Sequence, residues 1–230
     1  MCELYLIGNF INTNERIILN RIEKVHIDHR KQFGFKKNSS CQHAIFTVKQ
    51  TIKYCKHKDR LLYLCAIDAS KVFDKIDREV LWNKMIAKNI DPAIIMTLKN
   101  YYDESLLLVK NEDEYSNMFK STIGVKKGGV ASPKLFSIHI EDLITQLEML
   151  DVGIKLKKIK LDVVLYADDI MLISTCKYGL QRQLHIVQKY GLENGIKYNL
   201  DKTEFMLYND SIGTNQEHEN RLELDYKLIK

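Results

Sequence analysis

Apolar positions along the chain follow two patterns, a helical spacing of three to four residues and short unbroken runs. Residues 14–30 carry Ile17, Ile18, Ile22 and Val25 on one side, which predicts an amphipathic helix. A loop over 33–40 turns at Gly34. Residues 41–55 align Ala44, Ile45, Val48, Ile52 and Cys55 in one stripe, a second helix. LLYLCAI at 61–67, flanked by Asp59 and Asp68, is an apolar run of strand length and fits a strand buried on both faces.

Further on, Asp77 suits the N-cap of a helix running to about residue 89. Asp91-Pro92 opens another, with Asp as the cap and Pro at the first helical position. Residues 106–109 and 119–125 read as strands around the acidic turn NEDE. Residues 133–149 form a helix with Leu135, Phe136, Ile138, Ile140, Leu143 and Leu147 available to a core. Residues 163–166 and 170–174 are short apolar strands separated only by Ala167, Asp168 and Asp169, hence a hairpin. A helix over 178–194 closes at Gly195, and 205–208 is a last strand before a polar tail that turns weakly strand-like. The order is α+β: an antiparallel sheet with helices packed on one face.

Composition narrows the class. The 230 residues suit one or two domains, and 45% hydrophobic with 28% charged residues excludes disordered and fibrous chains. Only 2 Pro and 10 Gly leave no low-complexity linker. No apolar run approaches the ~20 residues of a membrane span, and the first residues lack the basic segment and cleavage site of a secretory signal. Cys2, Cys41, Cys55, Cys65 and Cys176 show no CxxC spacing, which fits reduced thiols in an intracellular protein. His26 and His29 make an HxxH pair without a partner at ligand spacing, so a solvated helix face is expected there.

The distribution of charge says more than its total of +5. Residues 1–60 hold 12 Lys and Arg against 5 Asp and Glu, 61–120 hold 8 against 10, and 121–230 hold 15 against 15. A basic front beside an acid-bearing centre suits a polyanion gripped in one place and cut or joined in another; a merely solvated basic surface is the alternative.

VVLYADDIMLIS at 163–174 sets adjacent carboxylates, Asp168 and Asp169, among ten residues that otherwise favour burial. Like charges at a tight turn repel, and a nearby apolar sheet makes ionisation costlier. A hard divalent cation would relieve both, because Mg²⁺ takes carboxylate oxygens and keeps waters or substrate phosphates in its shell. An ordinary exposed Asp-Asp turn is the simpler alternative. Upstream, the apolar run 61–67 ends in Asp68, an acid well placed to meet the hairpin. Asp74 and Asp77 are further carboxylates whose simpler uses are turn and cap. Three acids from two neighbouring strands can hold two cations roughly 3.5–4 Å apart, the clamp for in-line phosphoryl displacement. Phosphoryl or nucleotidyl transfer is the reaction class.

These motifs carry a family likeness. The chain resembles the fingers and palm of a reverse transcriptase (RNA-directed DNA polymerase) of the non-LTR, LINE-like retrotransposon type. QFGFKKNSSCQHAIFTVKQ (32–50) is similar to the family's fingers motif. AIDASKVFDKIDREVLWNKM (66–85) resembles motif A and GVKKGGVASPKLFSIHIEDL (124–143) motif B. LYADDIMLIS (165–174) matches motif C, and NGIKYNLDKTEFM (194–206) resembles motif D. They lie in order over about 15–208.

The resemblance implies a polymerase palm with a partial helical fingers region. Residues 1–60 would be partial fingers, 61–210 the palm with some fingers elements, and 211–230 a polar tail with the thumb absent. It implies Asp68, Asp168 and Asp169 as catalytic acids holding two Mg²⁺ (or Mn²⁺) ions, with the carbonyl of Ala69 as a further ligand. Phe73 would pack under the incoming sugar and exclude a 2′-hydroxyl, although a core Phe is its other reading. Gly128 and Gly129 would let backbone approach nucleotide and template, Lys127 would stand at the substrate, and Tyr166 near the primer terminus. Lys202 would shield or protonate the leaving pyrophosphate, or else be simply solvated. The partners implied are an RNA template, a DNA primer and deoxynucleoside triphosphates, with no membrane. A site of action in the nucleus or cytoplasm follows.

Some positions depart from the family. Where motif B reads Gly-x-Pro-Gln-Gly, this chain has Lys126 and Lys127 for the Pro and Gln, and Lys supplies no acceptor. Asn38-Ser39-Ser40-Cys41 stands where Gly-Arg-Ser-Thr is usual. An upstream fingers segment, the primer-grip turn, the thumb, an endonuclease and a zinc knuckle are not recognisable, so a fragment or degenerate copy is expected. A second reading is therefore a catalytically inactive nucleic-acid-binding remnant, its basic front and Lys126-Lys127 holding a phosphate backbone. A third, another palm-fold nucleotidyl enzyme such as a cyclase, sits poorly with the ordered fingers motifs.

Overall fold

The computed structural model describes residues 3–6, 11–70, 72–126, 128–157, 159–208, 222–224 and 227–229. In chain order the elements begin with β1 (Glu3–Leu6), α1 (Ile11–Val25), α2 (Cys41–His57), β2 (Leu62–Ser70), α3 (Val72–Lys75), α4 (Arg78–Ala87) and α5 (Pro92–Asp103). Next come β3 (Leu106–Asn111), β4 (Glu114–Tyr115), β5 (Phe119–Lys120), α6 (Ser132–Met149), β6 (Ile154–Leu156) and β7 (Ile159–Leu161). The last are β8 (Val163–Tyr166), β9 (Asp169–Ser174), α7 (Lys177–Asn194), β10 (Lys197–Tyr208), β11 (Glu223–Leu224) and β12 (Lys227–Leu228). Ladders between these strands are all antiparallel, as the α+β reading expects.

The chain forms two compact units. Met1–Ile27 with Phe73–His139 make the first, and Asp28–Val72 with Ile140–Lys230 the second. In the first, β3 pairs with β1, β4 and β5, and Ile22, Leu81, Met85, Leu98 and Leu135 are fully buried. Two predicted caps form. The Asp77 carboxylate accepts from the amides of Glu79 at 2.8 Å and Val80 at 3.3 Å, and Asp91 accepts from Ala93 N at 2.8 Å with Pro92 beginning α5. Asp77 is thus engaged as a helix cap.

In the second unit the sheet order is β10-β2-β9-β8. On β2, Leu62, Leu64, Cys65 and Ile67 are all buried, so both faces of this central strand are covered. Leu62, Leu64, Val164 and Ile173 share one core with Ala44 and Cys55 of α2, while α7 packs on β9, β2 and β10. Gly195 ends α7 in the left-handed region at φ 68°, where glycine carries no Cβ penalty.

The expected helix over 14–30 ends sooner, at Val25, and only part of its apolar stripe is covered: Ile18 and Ile22 are buried, Ile17 and Val25 exposed. His26 is itself buried and His29 pairs with Glu148 at 3.3 Å. The solvated helix face expected for the two histidines is therefore corrected. Both follow the helix, and burial and pairing fix their surroundings.

Candidate active site

The acids of the second unit are positioned by strand register. Asp68 near the end of β2 lies opposite Asp169 at the start of β9, and Asp169 opposite Tyr166 at the end of β8. Directly opposed residues in antiparallel strands project to the same face, so Asp68, Asp169 and Tyr166 share one. Ala167 and Asp168 alone make the turn. Ala167 has φ 56°, so the first turn residue is left-handed, the pattern of a tight type II′ hairpin. Ala69 is buried and paired in register with Tyr198.

Electrostatics in this corner follow from crowding. Partial burial raises the Asp169 carboxyl above the ordinary range, and the neighbouring charges of Asp168 and Asp68 raise it further, with Lys202 pulling the other way. Lys202 comes from β10, where the pairing with β2 shifts between Asn199 and Glu204; such bulges re-aim side chains. Its Nζ lies 3.9 Å from Asp68 Oδ2, with the lysine side chain 70% exposed, a loose and solvated ion pair.

The donor set is chemically right for a hard divalent cation, being carboxylate oxygen beside carboxylate oxygen. Its arrangement is a cross-strand pair with a third carboxylate on the adjoining turn. Among the described residues no three His, Cys, Asp or Glu side chains are gathered closely enough to hold a metal ion. Beside the acids a cavity of about 450 Å³ opens between α2 and the sheet. Ala44, Ile45, Val48, Ala66, Val164 and Met171 give it apolar walls, and Asp68, Asp169, Tyr166 and Lys202 also line it.

The fingers-like motif reaches the hairpin directly. Leu165 N donates to Lys31 O at 2.9 Å and Phe33 N to Leu165 O at 2.8 Å, with Gln32 bridging Leu165 in parallel. A Cβ on Gly34 would fall 2.1 Å from Ala167 N, so a glycine is required there by close approach to the turn. In sequence Gly34 reads as a loop turn within the fingers-like motif, with no sign of this close approach. Buried Lys31 and Asp162, with partly exposed Glu148, form a charge cluster beside the hairpin. The available signal was an acid, Asp162, set immediately before an apolar strand.

In the first unit, the ring of Phe73 stacks on buried Phe136 at 4.7 Å and 23°. Gly128 has φ 77° with open space around its Cβ position, whereas a Cβ on Gly129 would meet Ser132 Oγ at 2.7 Å. Glu15, which no motif marks, is buried and accepts from Val130 N at 2.5 Å and from the Tyr101 hydroxyl at 2.6 Å, so it braces the segment that leads into α6. Lys126 is also buried, its Nζ 3.2 Å from the Tyr101 ring centroid and hydrogen-bonded to Ser105. Burial lowers its ammonium to about 8. A role for Lys126 in holding a phosphate backbone is corrected: its charge is spent on an aromatic face inside the protein. Lys127 lies outside the described residues.

An antiparallel four-stranded sheet with helices, carrying paired acids where a hairpin meets a central strand, defines a polymerase-palm type of protein. Comparison with known proteins agrees. The family described as "Reverse transcriptase (RNA-dependent DNA polymerase)" matches residues 12–225, and the chain belongs to it, a family of RNA-directed DNA polymerases. It is 24% identical over 172 residues to the Pol polyprotein of the type-2 retrotransposable element R2DM of Drosophila melanogaster, covering 75% of this chain and 16% of that protein. It is 25% identical over 209 residues to the RNA-directed DNA polymerase of the mobile element jockey of Drosophila funebris, covering 86% of this chain and 22% of that one. The likeness is thus to non-LTR retrotransposon enzymes, and the chain spans less than a quarter of the length of either. Among solved structures, telomerase from Candida tropicalis in complex with a fragment of telomeric RNA shares the fold, with TM-score 0.61 and 16% identity over 92% of this chain and 34% of that one.

Proposed function

We propose that this chain carries the nucleotidyl-transfer site of an RNA-directed DNA polymerase, adding deoxynucleotides to the 3′-hydroxyl of a DNA primer paired to an RNA template. The observation that carries the reading is the register pair Asp68–Asp169, crowded enough to raise the Asp169 carboxyl. Asp68, Asp168 and Asp169, with the carbonyl of Ala69, would hold two Mg²⁺ or Mn²⁺ ions by drawing in around them, since the three carboxylates as they stand are not gathered closely enough to share one. Bound there, the ions would stabilise the attacking and leaving oxygens of an in-line displacement.

The chain's own residues do the rest. Tyr166, on the same face as Asp68 and Asp169, orients the primer end. Lys202, exposed and only loosely paired with Asp68, offsets charge on the departing pyrophosphate or gives it a proton. Phe73 rejects a 2′-hydroxyl by bulk, Gly128 and Gly129 admit nucleotide and template to the backbone, and Lys127 of the same motif binds the substrate. The template is held by the basic front, above all by α2, which has no acidic residue and exposes Lys49, Lys53 and Lys56. Residues 1–60 act as fingers and 61–210 as palm. Such a reaction belongs inside the cell, in the nucleus or cytoplasm.

Primer extension on an RNA template tests the reading. Extension should require Mg²⁺ and disappear in the Asp168→Asn/Asp169→Asn double variant. Salt-sensitive RNA binding without extension in either form would make the chain a binding remnant instead.

A further inference from the structure

A buried ion pair of the second unit lies beside the hairpin and has no part in the roles above. Lys31, 4% exposed, hydrogen-bonds the fully buried Asp162 and pairs with Glu148 Oε1 at 2.8 Å. Lys160 Nζ stands 3.3 Å from the other Asp162 oxygen. Burying such charges is costly in desolvation, and an apolar replacement often gives equal or greater stability. A cluster of this kind is better explained by the geometry it imposes.

That geometry bears on the site. Asp162 immediately precedes β8, and its carbonyl accepts from Ile173 N at 2.8 Å. Three residues on, Leu165 N donates to the carbonyl of Lys31 itself. One residue therefore grips β8 twice, by its side chain before the strand and by its main chain just before Tyr166. The same segment carries Gly34 into contact with Ala167.

We propose that Lys31 is a positioning residue: its buried ion pair with Asp162 clamps residues 31–34 along β8 and so fixes the Tyr166–Asp169 turn relative to Asp68. The catalytic consequence rests on the polymerase reading; the clamp itself does not.

Lys31→Met alone leaves the buried Asp162 carboxylate with Lys160 as its remaining cation and its Lys31-facing oxygen unsatisfied, and is expected to fold poorly. The informative variant is the neutral pair Lys31→Met/Asp162→Asn, with Lys31→Arg as the charge-keeping control. Hydrogen exchange at the Leu165 and Phe33 amides should rise about tenfold in the neutral pair while β2 amides stay slow. Mn²⁺ binding, followed by electron paramagnetic resonance, should weaken about tenfold. kcat for primer extension should fall about a hundredfold with KM for primer–template unchanged, and Lys31→Arg should recover most of it. Unchanged exchange at those amides, or a lowered melting temperature with wild-type kcat and Mn²⁺ affinity in the folded protein, overturns the proposal. A wild-type chain that extends no primer sinks the polymerase reading alone, since the exchange experiment still decides the clamp.

Discussion

Ala167 holds a backbone angle better suited to glycine, φ 56° in a two-residue turn. A left-handed alanine costs roughly 1–2 kcal/mol. Glycine would relieve this while losing roughly 0.4–1 kcal/mol through its freer unfolded chain. Ala167→Gly should therefore raise the melting temperature by about 1–4 °C; a fall would mean that the turn is not left-handed in solution. Next to it, Asp169 has its folded carboxyl raised by burial and by Asp168 and Asp68. The folded state then binds protons more tightly than the unfolded state, so stability falls as pH rises through the raised value. Asp169→Asn should flatten that slope and raise the metal-free melting temperature at neutral pH by up to about 2 °C, the repulsion being solvent-screened. Added Mg²⁺ should stabilise the wild type and narrow the difference. Thermal melts across pH, with and without Mg²⁺, check both statements.

At the scale of elements, the hairpin is hydrogen-bonded to β2 on one side and to the 31–34 segment on the other. Gly34→Ala puts a Cβ against the backbone of Ala167 at 2.1 Å, which a flexible side chain cannot relieve. Overpacking of this kind costs typically 1–3 kcal/mol, so a melting point lower by about 2–10 °C is expected. Glu148 gives a pH signature with the opposite sign. Burial would raise its carboxyl, but the hydrogen bond and charge of Lys31, with His29 and Arg30, hold it down at about 2. The stabilisation is present above 4.5 and is lost as pH falls towards 2. Glu148→Gln should lose about 1 kcal/mol at neutral pH, and the gap should close as pH drops through that window in denaturant titrations. Elements with strong local signals were legible: the Asp77 and Asp91 caps, the stripes of α2, α6 and α7, and the 163–174 hairpin. β10 was read only over its last residues, because the bulge between Asn199 and Glu204 breaks the alternation that marks a strand. The β6–β7 hairpin was missed because three residues a side carry too little pattern. The clamp was invisible because its partners, Lys31, Glu148 and Asp162, meet only through tertiary folding.

For the molecule as a whole, the sequence pattern located the acids and the family but not which lysines are available. Lys126, at a motif position, is turned inward onto Tyr101, whereas Lys49, Lys53 and Lys56 lie exposed on α2. Charge number alone does not distinguish these cases; burial does. Only an exposed lysine releases counterions when it meets a phosphate, and each such contact on a single strand contributes about 0.7 to the slope of log K against log salt. Replacing Lys49, Lys53 and Lys56 together by Ala should reduce that slope for single-stranded RNA by about 2, with affinity at low salt falling most. Lys126→Met should leave the slope as it is, changing stability instead. Fluorescence anisotropy of a labelled RNA over a salt series measures both. An unchanged slope in the triple variant would take α2 off the path of the template, while a changed slope in Lys126→Met would mean that its ammonium swings out to meet the strand.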